Sequence, residues 1–241
     1  MSGHGALEKS GKPELLYVGL ESCPACAIER WGLVVALSRF GTFSELRLGQ
    51  SAVGSPQIVP SFTFSSARYS SPYLSFDGIE VSSDLPAPGG GFRSLDRLSP
   101  AQGRLLRSLD AREIAPFVDV GNQFVDVGAT VSPGLVEGLS WSQLAGSVGR
   151  PRTQTGQAIA ASAEVFTAEI CRVTAGQPAA VCGSAVVQAY ASRLASFGGR
   201  AGGCPLGRGR AASRAVVARA AVVAWRAVVT WRVAVTARRG V

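Results

Sequence analysis

Histidine, lysine and methionine are nearly missing from this 241-residue chain, which holds one His (His4), two Lys (Lys9 and Lys12) and one Met. A lone histidine in a polar leader leaves no Cys/His ligand set for zinc, which needs four ligands at reinforcing spacing. No nucleotide, flavin or metal motif occurs, so the expected cofactor is none and the expected metal is none. Met1–Pro13 contains no apolar run that could act as a signal peptide or membrane span. There is no internal repeat. From Arg200 to Val241 acidic residues are missing altogether, while nine arginines are present.

That last absence changes the meaning of the formal charge of +8. Without the tail, fifteen of the 24 basic residues face all 16 acidic ones. The near-neutral remainder gives no reason to expect a nucleic-acid groove, and no nucleic-acid partner is expected. In the tail, Arg219, Arg226 and Arg232 interrupt the apolar stretches too often for a membrane span and share no helical face. The expected organisation is a flexible leader over 1–13, a globular domain over 14–199, and a disordered low-complexity Arg/Ala/Val tail over 200–241.

Against these absences stand five cysteines, Cys23, Cys26, Cys171, Cys182 and Cys204. Two pairs and one leftover thiol fit an oxidising compartment better than the cytosol. The first pair follows Glu14-Leu15-Leu16-Tyr17-Val18-Gly19, a strand pattern apolar on both faces, and opens an apolar helix running to about Phe40. A thiol at a helix start lies where the dipole favours an anion, and the thiolate is the species that attacks disulfides. Cys23 is therefore the expected nucleophile and Cys26, one turn in, the resolving thiol. The competing readings are a static disulfide and half of a zinc site. Cys171, in the last turn of a helix, and Cys182, across a Gly176-Gln177-Pro178 turn, read as a structural staple rather than a catalytic pair. Cys204 reads as an exposed thiol without a role.

Further along, Ser44–Gln50 and Ser61–Phe64 read as strands and Tyr69–Val81 as containing a third, with Pro86–Gly91 a loop. Ser99-Pro100-Ala101-Gln102 has a helix-capping pattern, and Leu105, Leu106 and Leu109 give that helix an apolar face. Ala115–Gly128 reads as a hairpin turning at Gly121-Asn122. Ser132-Pro133 opens a helix, Ser140-x-x-Gln143 repeats the capping box, Thr155–Ala175 is a long helix stopped by Gly176, and Val187, Tyr190, Leu194 and Phe197 mark one more. Trp31 and Trp141 read as core, and Asp119 and Asp126 as solvated hairpin positions. The order predicts an α/β or α+β layer with one mixed sheet.

Strand, Cys-x-x-Cys turn and helix, followed by an X-Pro-strand-turn-strand-helix unit over Ala115–Leu139, resemble the thioredoxin fold with the helical insertion of DsbA-type proteins. The wording of Gly11–Gly19, Cys23–Trp31 and Pro116–Asn122 is similar, more specifically, to the uncharacterised actinobacterial and archaeal DUF929 family. The resemblance implies a thioredoxin-like mixed sheet flanked by helices. It also implies a cis proline at Pro116 forming the substrate-facing wall. Pro60 is a rival for that role, but only Pro116 is followed by a Gly-Asn hairpin and a capped helix. The family further implies an extracytoplasmic setting with a membrane anchor, which would lie upstream of Met1; a cytoplasmic setting is the alternative. One departure stands out: thioredoxins and DsbA-type enzymes carry a buried carboxylate six residues before the first cysteine, and here that residue is Tyr17. The expected function is thiol–disulfide oxidoreduction on disulfide-containing or dithiol protein substrates or small-molecule disulfides. The alternative is a non-catalytic binding or scaffold protein.

Overall fold

The computed structural model describes residues 5–52 and 57–198. The chain begins with a short hairpin of β1 (Glu8–Lys9) and β2 (Lys12–Gly19), with Lys9 opposite Lys12. Residues 8–13, expected as a flexible leader, are thus paired: Glu14 N–H also bonds Leu7 O (2.9 Å), and Leu7 N–H bonds Gly121 O (3.3 Å). From Glu14 onward β2 is buried on both faces, as its continuous apolar run requires.

The Cys-Pro-Ala-Cys turn opens α1 (Pro24–Leu37), and three residues past its end Phe40 is buried in the core. Six short strands follow: β3 (Thr42–Ser44), β4 (Arg47–Gln50), β5 (Pro60–Thr63), β6 (Arg68–Ser70), β7 (Ser75–Glu80) and β8 (Ser82–Pro86). The single strand expected over Ser44–Gln50 is two strands in different sheets, separated where Glu45 takes a left-handed conformation (φ 60°). Tyr69–Val81 likewise divides into β6, which pairs with β3, and β7, which joins the central sheet. The loop expected at Pro86–Gly91 connects β8 to β9 (Phe92–Ser94), a hairpin that alternation did not reveal.

The chain continues through α2 (Pro100–Leu109), the hairpin β10 (Phe117–Val120) and β11 (Phe124–Val127), a 3-10 turn (Pro133–Val136), α3 (Trp141–Gly149), α4 (Gln154–Val173), α5 (Ala179–Cys182) and α6 (Ala185–Gly198). Both capping boxes form: Ser99 with Gln102 and Ser140 with Gln143. The β10–β11 turn uses positive φ at Gly121 (65°) and Asn122 (56°), the pattern a two-residue hairpin needs. Ser132-Pro133 opens only the 3-10 turn.

The central sheet runs β7-β2-β10-β11, with β1 completing it beside β2. β7 is parallel to β2, whereas β10 is antiparallel to both β2 and β11. This is a mixed α/β architecture, as expected. One face (Leu15, Tyr17, Val118 and Val120) packs in a core with α1 and α4 residues such as Leu33, Leu37, Phe166 and Ile170. The opposite face (Leu16, Val18 and Phe117) packs on Leu106 of α2. A third core surrounds Trp31, which donates from Nε1 to Pro60 O (2.8 Å) and stacks at a tilt on Trp141, 5.5 Å between centroids. α1 and α4 approach closely because position 32 is glycine: a Cβ there would collide with Ser162.

Asp119 and Asp126 are not solvated. β10 lies between two neighbours and under helices on both faces, so its polar position is buried; Asp119 is fully buried and accepts from Asn122 N–H (2.7 Å) to brace the turn. Asp126 pairs with Val118, so it faces the α4 side, where it meets the buried Glu169.

Candidate active site

β2 ends at Gly19, and the chain turns through Leu20–Ser22 before α1 begins. Cys23 is the N-cap of α1 and Pro24 takes the first helical position, where a missing N–H costs nothing. The usual N-cap oxygen is replaced by sulfur: Cys26 N–H donates to Cys23 Sγ at 3.2 Å. Cys23 is half-buried and Cys26 fully buried, and both are free thiols.

The two sulfurs titrate in opposite directions. The Cys26 thiol donates to the Cys23 sulfur, the N–H groups of Cys26 and Ala25 add to this, and the Arg30 charge acts in the same sense. Together they outweigh burial and hold Cys23 down at about 6. Cys26 is pushed far above the ordinary thiol range by burial, and then by its bond to Cys23 and the charge there. One sulfur is a ready nucleophile near neutral pH and the other a proton-holding partner.

Behind the pair lies a buried polar group that sequence patterning left unread. Arg30 and Glu80 form a fully buried ion pair, with Arg30 Nη1 at 2.9 Å from both Glu80 oxygens. Tyr17, whose hydroxyl is 3.2 Å from Arg30 Nη1, extends over Gly19, where any Cβ would strike the phenol. Glu80 pairs with Gly19 in the β2–β7 register, so both polar residues face α1 from the same side of the sheet. Burial raises Glu80 to about 7 even though Arg30 pulls it down. The available signal was the spacing: Arg30 is four residues after Cys26, on the same helical face.

Ala115–Pro116 is a cis peptide, whereas Val59–Pro60 is not among the cis bonds of the described residues. The β2–β10 register pairs Phe117 with Val18; continued by one residue, it sets Pro116 beside Gly19, at the end of the sheet where the chain enters the cysteine turn. Pro60 instead starts β5, opposite Gln50, and its carbonyl is taken by Trp31.

Cys171 and Cys182 are far from this chemistry in kind. They are joined as a disulfide with Cα atoms 5.5 Å apart, linking the last turn of α4 to α5. Closing so short a loop is worth about 3 kcal/mol on the chain-entropy estimate. Cys204 and the tail over 200–241 lie outside the described residues, as does His4. No group of acidic, Cys and His side chains among the described residues is arranged to hold a metal ion.

A paired-cysteine turn opens a helix set on a mixed α/β sheet. Residues 4–86 of the chain match the family model described as Domain of unknown function (DUF929). The match takes in Cys23, Cys26, Arg30, Tyr17 and Glu80, and ends before Pro116. Comparison with curated proteins and with solved structures finds no match.

Proposed function

We propose that the protein is a thiol–disulfide oxidoreductase on a thioredoxin-like framework. Cys23 attacks a substrate disulfide, and Cys26 resolves the resulting mixed disulfide. The observation that carries this reading is the N-cap sulfur of Cys23, which accepts from the Cys26 N–H and thiol and is held at about 6 while its partner keeps its proton. A cysteine pair that served only to brace the fold would have no need of such asymmetry. The register that sets Pro116 beside Gly19, where the chain enters the cysteine turn, supports a substrate-facing role for Pro116.

The partners proposed are disulfide-containing or dithiol proteins. The setting proposed is extracytoplasmic, supported by the Cys171–Cys182 disulfide, since such bonds persist in oxidising compartments. No helix among the described residues is long and apolar enough to cross a membrane.

The test is equilibration of the Cys204→Ser protein with reduced and oxidised glutathione, read by alkylation and mass mapping. The proposal expects Cys23–Cys26 to interconvert with the buffer while Cys171–Cys182 stays closed. Cys26→Ser should accumulate a mixed disulfide on Cys23, because attack survives and resolution does not. A pair that stays fixed across the glutathione range, with no adduct in Cys26→Ser, would leave the scaffold reading in its place.

A further inference from the structure

Arg30 is buried completely, and a guanidinium cannot shed its charge to escape that cost. Its placement is determined from several sides. Besides Glu80 and Tyr17, Nη1 reaches Leu20 O (3.4 Å) and Nε donates to Ser61 Oγ (3.3 Å). Two of these holders also bond the cysteine turn or the first turn of α1. Leu20 O accepts Cys23 N–H (3.2 Å), and the Leu20 backbone bonds the Cys26 sulfur. Ser61 Oγ donates to Ala27 O in the first turn of α1. The remaining nitrogen, Nη2, is buried and makes no hydrogen bond.

We propose that Arg30 is a positioning residue for the cysteine pair: fixed by Glu80, Tyr17, Leu20 and Ser61, it supplies the positive charge that carries the buried Cys26 through its thiolate when a mixed disulfide is resolved. The proposal rests on the redox reading above. The groups acting on the Cys26 sulfur are Cys23, Tyr17 and Arg30, with Glu80 behind Arg30. In the reduced protein burial opposes ionisation of Cys26 most, and the hydrogen bond to Cys23 and the charge there add their own opposition. Once Cys23 is bonded to substrate its sulfur is neutral, and the opposition from Cys23 ends. The attraction of Arg30 remains, now unopposed by a neighbouring thiolate. Cys26 then loses its proton and attacks Cys23 Sγ. The Cys26–Cys23 bond forms, the bond from Cys23 to substrate sulfur breaks, and the electron pair leaves on the substrate thiolate. That thiolate takes up a proton, so the enzyme dithiol is oxidised to a disulfide as the substrate disulfide is reduced to two thiols.

Reduced full-length protein carrying Cys204→Ser, mixed rapidly with dithiobis(nitrobenzoate), separates the steps. One coloured thiolate is released when Cys23 attacks, and a second when Cys26 resolves. Arg30→Met should slow the second release by about tenfold near neutral pH, the equivalent of one pKa unit. Its pH midpoint should move upward, the first release should change less, and Arg30→Lys should restore part of the rate. Arg30→Met leaves Glu80 buried without a partner and endangers folding, so Arg30→Met/Glu80→Leu, which removes both charges, should show the same slowing. A second release unchanged in the folded double variant, or slowed equally by Arg30→Lys, overturns the role of Arg30 alone. A wild-type first release no faster than that of a cysteine peptide overturns the redox reading and this proposal with it.

Discussion

The two cysteine pairs lie at opposite kinds of helix end: Cys23 and Cys26 at the start of α1, and Cys171 at the end of α4, which packs against α1, with its partner Cys182 on α5. Cys23 caps the start of α1, where free N–H groups point at the sulfur and favour an anion. Cys171 lies in the last turn of α4, at the negative end of the helix dipole, which disfavours one, and its sulfur is bonded to Cys182. Cys23 is half-buried, whereas Cys171 and Cys182 are both buried. The same residue type is therefore a free sulfur that favours the thiolate at one helix end and a cross-link at the other. What separates them is the local dipole, the hydrogen bonds to sulfur and access to solvent.

The largest effect expected is on Cys23. Cys23→Ser should abolish exchange with glutathione disulfide, read by mass mapping, while Cys171→Ala/Cys182→Ala retains it. Loss of exchange in the second variant with its fold intact would erase the division of labour between the pairs. Stability should show the converse. Cys171→Ala/Cys182→Ala should lower unfolding free energy by about 3 kcal/mol in urea, and Cys23→Ser should change it far less.

A smaller effect involves the acids packed between the two helices. Glu29 on α1 accepts from Thr130 N–H (2.8 Å) and Oγ1 (2.9 Å), and burial still raises it to about 7. Burial raises Asp126 to about 6, and Glu169, bonded to Asp126, is raised as well. For all three the folded state holds protons more tightly than the unfolded chain. Between about pH 4.5 and 7 the native state binds more protons, so stability falls as pH rises through that window. Thermal unfolding should report a lower Tm at pH 8 than at pH 5, with Glu169→Gln reducing that difference. A Tm that rises over the same range would contradict this burial of acids.

Much of this contrast was legible in the sequence. The apolar run before Cys23, both capping boxes, the Gly121-Asn122 hairpin and the long helix ending near Gly176 are local signals, and local physics decides them. Glu45 splits an expected strand because a single left-handed residue redirects the chain, and nothing in the alternation marks it. β8 and β9 escaped notice because their residues are mostly polar or exposed, leaving no period-2 stripe. The Arg30–Glu80 pair and the Glu29–Asp126–Glu169 cluster join residues far apart in the chain, so only the folded register brings them together. Tyr17 was visible as the residue standing where a carboxylate is usual, but its bond to Arg30 was not.

The central claim is that Cys23 is ionised near neutral pH while Cys26 is not. Rates of iodoacetamide alkylation of reduced Cys204→Ser protein, mapped by mass at each pH, test it most directly. Cys23 should react with a pH midpoint of about 6, as its hydrogen bonds require, and Cys26 should remain unlabelled well past neutrality. A Cys23 midpoint near the ordinary thiol value of about 8.5, or equal labelling of both cysteines, would contradict it.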